Sequence, residues 1–215
     1  LSSKIFNKNK VYILKDPIID IKEIKKKSFE KLHNEIVNQK YILGIGRLTK
    51  QKNFKFLLNF FEKLHKLYPE YKLYILGDGE DKTRLINLID KYELNSRVFL
   101  LGYQDNVFKY LKHADCFILT SLWEDPGFVL AEAGIMNTNI ISSDCPNGPK
   151  EIICDKDFLF LNGSSNSLFQ QFKIYKNKTD IELFNQKIKV KKKIKFYTTF
   201  QHFKKLNLIF NENNE

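Results

Sequence analysis

The sequence predicts an α/β fold, a parallel sheet with helices on both faces, followed by a C-terminal helical tail. Three observations predict it. Short apolar runs alternate with longer amphipathic stretches. The stretches repeat apolar residues at helical spacing. The unusual loops all come after the apolar runs, where the strands of a parallel sheet lead into their helices.

From the N-terminus, the expected strands are 11–14 (VYIL), 41–46 (YILGIG), 72–77 (KLYILG), 97–102 (RVFLLG), 115–120 (DCFILT) and 139–144 (NIISSD). Near-continuous apolar character, rather than alternation, marks strands covered on both faces. Between them, 22–38 is expected to form a helix. The stretch 53–68 (NFKFLLNFFEKLHKLY) is helical up to the stop at Pro69, and 81–94 repeats Leu85, Leu88, Ile89 and Tyr92 on one face. From about Ser165 the chain turns helical and polar, and Phe196, Phe200, Phe203, Leu206 and Phe210 form an apolar stripe that needs a partner. The expected organisation is a hinge-like entry over 1–20, a sheet domain over 21–178 and a helical segment over 179–215.

Composition narrows the classes. With 215 residues, 43% hydrophobic, and nineteen Phe and ten Tyr, the chain buries a substantial core and is not disordered. The net charge of +11 is mostly lysine in runs such as 22–27 and 187–195, read as solvated faces rather than a nucleic-acid groove. Arginine is scarce, at Arg47, Arg84 and Arg97. Cys116, Cys145 and Cys154 lack C-x-x-C spacing, and buried thiols in a reducing compartment are expected. No stretch reaches the roughly 20 apolar residues of a membrane span. A cytoplasmic protein is expected.

Four loops follow the expected strands: GRLTKQKN after 41–45, GDGED after 72–76, SLWEDPG after 115–119 and DCPNGPKE after 139–143. In the first, Gly44 and Gly46 allow close backbone approach, and Arg47 and Lys52 add charge ahead of a helix N-terminus, which suits a diphosphate. In the third, Glu124 and Glu132 stand eight positions apart. One unbroken helix would separate them by about 12 Å along its axis. Pro126 and Gly127 instead place Glu124 in the loop and Glu132 in the early turns of a helix. Asp78 and Glu80 are suited to ordering the GDGED turn. The DKD string at 155–157 reads as a turn rather than a metal-binding motif, and His33, His65, His113 and His202 have no partner pattern.

GIGRLTKQKN, YILGDGED, VFLLGYQDNVFKYLKHADCFILTSLWEDPGFVLAEA and IISSDCPNGPKEII together resemble the C-terminal, donor-binding half of retaining GT-B glycosyltransferases of the group often called family 4. The resemblance runs through about 40–160. It implies a Rossmann-like domain that binds a nucleoside-diphosphate sugar, with a UDP-sugar expected, and needs neither metal nor cofactor. Arg47 and Lys52 would hold the diphosphate, Glu124 a hydroxyl of the sugar, and Glu132 the ribose. Backbone N–H groups at Gly127, Phe128 and Val129, with Gly46 opposite, would complete the donor site, and the base would lie near 102–108. Asp125 and Pro126 depart from the family's usual glycine and phenylalanine. An N-terminal domain of similar size would bind a glycan or lipid-linked acceptor at a membrane face, residues 1–20 would be its exit strand and hinge, and little turnover is expected without it. A nucleotide-sugar epimerase and a non-catalytic basic binding module are the alternatives.

Overall fold

The structure is a computed structural model that describes residues 12–212. Six parallel strands form one sheet in the order β3-β2-β1-β4-β5-β6. The strands are β1 (Lys40–Ile45), β2 (Tyr71–Leu76), β3 (Val98–Leu100), β4 (Cys116–Leu119), β5 (Ile140–Ser143) and β6 (Leu159–Phe160). β1 pairs with β2 along its whole length and with β4 through Ile42 opposite Cys116 and Leu43 opposite Phe117. The chain therefore reverses its direction of winding between β1 and β4, which opens a crevice beyond their C-terminal ends.

Burial on both faces explains the apolar runs. Tyr41, Ile42 and Leu43 in β1, Leu73 and Ile75 in β2, and Phe117 in β4 are fully inaccessible. The sheet is covered by α3 (Phe54–Leu67), which buries Leu57, Leu58, Phe60, Phe61 and Leu64, and by α8 (Ser165–Asn177), α4 (Lys82–Lys91), α5 (Phe108–His113) and α6 (Phe128–Ile135). Phe172 of α8 is the hub of an aromatic cluster, meeting Phe60, Tyr68, Tyr71 and Tyr175 at centroid distances of 5.6–5.9 Å.

Four expectations need correcting. The 22–38 helix is two, α1 (Ile21–Ser28) and α2 (Asn34–Val37). The end of α1 is bonded by the loop before α5, where Asn106 Nδ2 donates to the Lys27 carbonyl at 2.8 Å, and by α5 itself, where Lys112 Nζ donates to the Ser28 carbonyl at 3.3 Å. The strand expected over 11–14 is not formed by 12–14, and Val11 lies outside the described residues. Ile19 instead bridges Thr198, tying the entry segment to the C-terminal part of the chain. β6 was not foreseen. Cys116 and Cys145 are buried, as expected, but Cys154 is exposed.

The tail folds as α9 (Asp180–Ile194) and α10 (Thr199–Glu212), with the four-residue α7 (Pro149–Ile152) following β5. α9 opens with a reciprocal cap between Thr179 and Glu182. Its Val190 and Ile194 are buried against Gly134 of α6, so closely that a methyl on Gly134 would sit 2.7 Å from Val190. α10 leaves Phe200, Phe203 and Phe210 exposed, as is Phe196 just ahead of it.

Candidate donor site at the sheet switch point

The loop leaving β1 and the loop leaving β4 meet at the crevice. Gly46 follows β1, and the aliphatic stem of Lys52 passes within 3.1 Å of where a Gly46 side chain would begin. Lys52 then reaches the β4 loop, where Nζ lies 2.6 Å from Glu124 Oε1. Both partners are withdrawn from water, with side-chain exposures of 15% and 4%. The same carboxylate oxygen accepts a hydrogen bond from Ser121 Oγ. Thr120 Oγ1 donates to the Lys52 carbonyl at 3.0 Å, so the two loops are joined through backbone as well as charge.

Further bonds clamp the β4 loop. Gln51 Nε2 donates to the Trp123 carbonyl at 2.9 Å, Leu122 N–H to the Gln51 carbonyl at 2.8 Å, and Asn162 Nδ2 to the Leu122 carbonyl at 2.9 Å. From the β5 side, Glu124 N–H donates to the Pro146 carbonyl at 3.1 Å. Gly148 makes this approach possible, because a methyl there would lie 2.0 Å from the Pro126 carbonyl oxygen, and its φ of +116° suits glycine alone. Neither Gln51, Asn162, Ser121 nor Gly148 was marked as a site residue from sequence. For Gln51, Ser121 and Gly148 the available signal was their place in the quoted loops; Asn162 lies outside them.

Arg47 is exposed at the lip of a cleft of about 290 Å³, lined by Gly46, Arg47, Gly77, Asp78, Tyr103 and Gln104. Tyr103 presents an open aromatic face at 75% exposure, whereas Gln104 is pinned between the Leu101 carbonyl and the Tyr110 hydroxyl. Asp78 orders its own turn as expected. It accepts from Lys82 at 2.7 Å and from Gly79 N–H at 2.8 Å, and these bonds hold its carboxyl below the ordinary range. Glu80 makes no such bond among the described residues.

Gly127, Phe128 and Val129 form the start of α6, beside Glu124. Away from the crevice, α1, α8 and α9 are capped by Asp20, Ser164 and Thr179 side chains. α3 and α6 begin at the crevice with no side-chain cap, which leaves N–H groups of their first turns available to an anion. Glu132 lies one turn further along α6, half-buried, and is not joined to Arg47, Lys52 or Glu124 by any direct bond among the described residues. Burial raises its carboxyl above the ordinary carboxylate range, and the charge of Lys27 partly opposes this.

The sign of that shift is testable. A raised native value means that the folded state takes up a proton more readily than the unfolded chain, so stability falls as pH rises through the carboxylate range. Glu132→Gln is expected to melt above the parent protein at pH 7, with the difference closing below about pH 4, near the unperturbed glutamate value. Equal melting temperatures at pH 7 would contradict it.

The remaining sequence candidates serve structure. Asp155 caps a 3-10 turn over Lys156–Phe158, and Asp157 pairs with Lys178 at 2.8 Å. Among the described residues, no group of three or more His, Cys, Asp or Glu is placed to hold a metal ion, and no helix is long and apolar enough to cross a membrane. A larger hollow of about 780 Å³ lies between residues 13–15 and α10. It lacks the joined loops and the buried ion pair, which lie at the switch point, where the Lys52 stem passes Gly46 at the edge of the smaller cleft.

The strand order and the crevice loops define a Rossmann-like nucleotide-binding domain of the GT-B type. Residues 24–194 match the glycosyl transferases group 1, and the chain belongs to that family. An uncharacterized glycosyltransferase of Methanocaldococcus jannaschii is 42% identical over 149 residues, covering 69% of this chain and 37% of its own length. The N-acetylgalactosamine-N,N'-diacetylbacillosaminyl-diphospho-undecaprenol 4-alpha-N-acetylgalactosaminyltransferase of Campylobacter jejuni is 32% identical over 157 residues, 72% of this chain and 41% of its own. Among solved structures, S. aureus TarM in complex with fondaparinux, alpha-GlcNAc-glycerol and UDP superposes with a TM-score of 0.70 at 26% identity, over 80% of this chain and 36% of that one. The chain thus spans 37% and 41% of the length of these two curated relatives.

Proposed function

We propose that this chain is the donor-binding half of a retaining glycosyltransferase that transfers a hexose or hexosamine from a nucleoside-diphosphate sugar to a glycan or lipid-linked acceptor. The observation that carries the reading is the Lys52–Glu124 pair, which sets a cation and a carboxylate side by side at the switch point of the sheet. A sugar diphosphate needs both, the cation for its phosphates and the carboxylate for its hydroxyls.

In this reading Arg47, Lys52 and the uncapped start of α6 receive the diphosphate. The base lies in the cleft against Tyr103 and the backbone of 102–108, and Glu132 meets the ribose. When the bond between the sugar and the diphosphate breaks, its electron pair leaves with the phosphate oxygen. Arg47 and Lys52 stabilise that charge where it gathers, in a site with little water. Glu124 orients the sugar and is assigned no nucleophilic role. UDP is the favoured nucleotide, because the TarM complex holds UDP. A lipid-linked acceptor is favoured by the name of the Campylobacter relative. The acceptor is assigned to an N-terminal domain, with peripheral contact at the cytoplasmic face of a membrane, and the chain by itself binds donor with little turnover.

The test is calorimetry with UDP, GDP and ADP, each with and without a sugar, on the parent protein and Arg47→Ala. One diphosphate is expected to bind without added metal, and the substitution to abolish that binding. Equal binding by both proteins would remove the proposed site.

A further inference from the structure

We propose that Ser121 is a positioning residue that gives the donor site its preference for a nucleotide sugar over the bare nucleoside diphosphate, by fixing which oxygen of Glu124 is left for the sugar. The inference rests on the donor-site reading above and adds a residue to it.

Ser121 is the second residue beyond β4 and is fully buried. Its hydroxyl donates to Glu124 Oε1, the oxygen that also receives Lys52 Nζ at 2.6 Å. Two donors therefore converge on one oxygen, and Oε2 is the one the geometry leaves to a substrate hydroxyl. A carboxylate accepts at both oxygens, and its terminal torsion is broad and soft. With Lys52 alone as partner, nothing would stop the group from turning to offer both oxygens to the ammonium. That arrangement would consume the oxygen needed by the sugar. The Ser121 hydroxyl opposes it, since turning the carboxylate would break its own bond to Oε1.

The anchor is itself held. Ser143 Oγ on β5 donates to the Ser121 carbonyl at 2.7 Å, and the next two residues are clamped by Asn162 and Gln51. Ser121 cannot follow the carboxylate if it turns. Among the described residues the Ser121 hydroxyl bonds Glu124 and neither Arg47 nor Lys52, so loss of Ser121 should be felt more by the sugar than by the diphosphate that Lys52 receives.

The experiment compares dissociation constants for UDP, UDP-glucose, UDP-N-acetylglucosamine and UDP-N-acetylgalactosamine on the parent protein, Ser121→Ala and Ser142→Ala. Ser142 is an equally buried hydroxyl on β5 whose bond goes to the Ser143 carbonyl, so its variant reports the general effect of deleting a buried hydroxyl beside this edge. Ser121→Ala is expected to weaken the preferred UDP-sugar about tenfold and UDP less than twofold, while Ser142→Ala leaves the ratio unchanged. Equal weakening of UDP and UDP-sugar by Ser121→Ala, or an unchanged ratio, overturns the positioning role while the donor site stands. A parent protein that binds UDP but prefers no sugar overturns both this role and that of Glu124. A parent protein that binds none of the four ligands overturns the reading on which the inference rests.

Discussion

Lys52→Met is expected to abolish donor binding and to lower folding stability by about 3–5 kcal/mol, the usual cost of leaving a buried charge without its partner. Lys52 and Glu124 face each other at 2.6 Å with little exposure to water, so removing the cation leaves the carboxylate buried without its ion-pair partner. Ser121 remains a partner, but a hydroxyl does not neutralise a charge. Adding Glu124→Gln to the same chain should restore most of the lost stability, because a neutral pair of similar volume avoids the desolvation penalty. It should restore none of the binding. Urea unfolding measures the first effect and calorimetry with UDP the second. A loss below 1 kcal/mol in the single variant would show that the carboxylate is hydrated in solution.

Gly77→Ala is expected to be almost as damaging, for a steric reason. A methyl at Gly77 would begin 1.9 Å from the Gly46 carbonyl oxygen, and the φ of +137° is one that side-chain-bearing residues rarely adopt. Backbone strain of about 1–3 kcal/mol and overpacking of about 1–3 kcal/mol act together. The chain can relieve them only by parting the β1 and β2 loops. Those loops are bonded through Gly46 N–H to the Leu76 carbonyl at 3.0 Å and Leu48 N–H to the Asp78 carbonyl at 2.9 Å. Arg47 sits between these bonds, so nucleotide affinity should fall with stability. A variant that melts normally and still binds UDP would show that the loop is more compliant than its contacts imply.

Much of the architecture was legible because strands covered on both faces have to be apolar throughout. Residues 41–46, 72–77 and 115–120 announce themselves in this way; β4 lies within the last, and β1 and β2 each begin one residue before theirs. β6 did not, because two residues are too short to show any pattern and the strand exists only through pairing with Ser142 and Ser143. The break between α1 and α2 was equally hidden. Besides the local turn through Phe29 and Glu30, Asn106 and Lys112, remote in sequence, bond the terminal carbonyls of α1. At the site, charge and loop chemistry drew attention to Arg47, Lys52, Glu124 and Glu132. The contact between Lys52 and Glu124 was not legible, and neither was the clamp of Gln51 and Asn162, since each depends on how two distant loops meet. Cys154 was misjudged because thiols are usually buried and only its place after α7 turns it outward.

The near-touching of α6 and α9 at Gly134 has a consequence for how this chain can change over time. The inner edge of α9, at Val190 and Ile194, is bound to the fate of position 134. A bulkier inner residue would push on the helix that bears Glu132 and begins beside Glu124. A segment outside the proposed donor site therefore constrains heredity within it, and changes at 134, 190 and 194 should be inherited together or not at all.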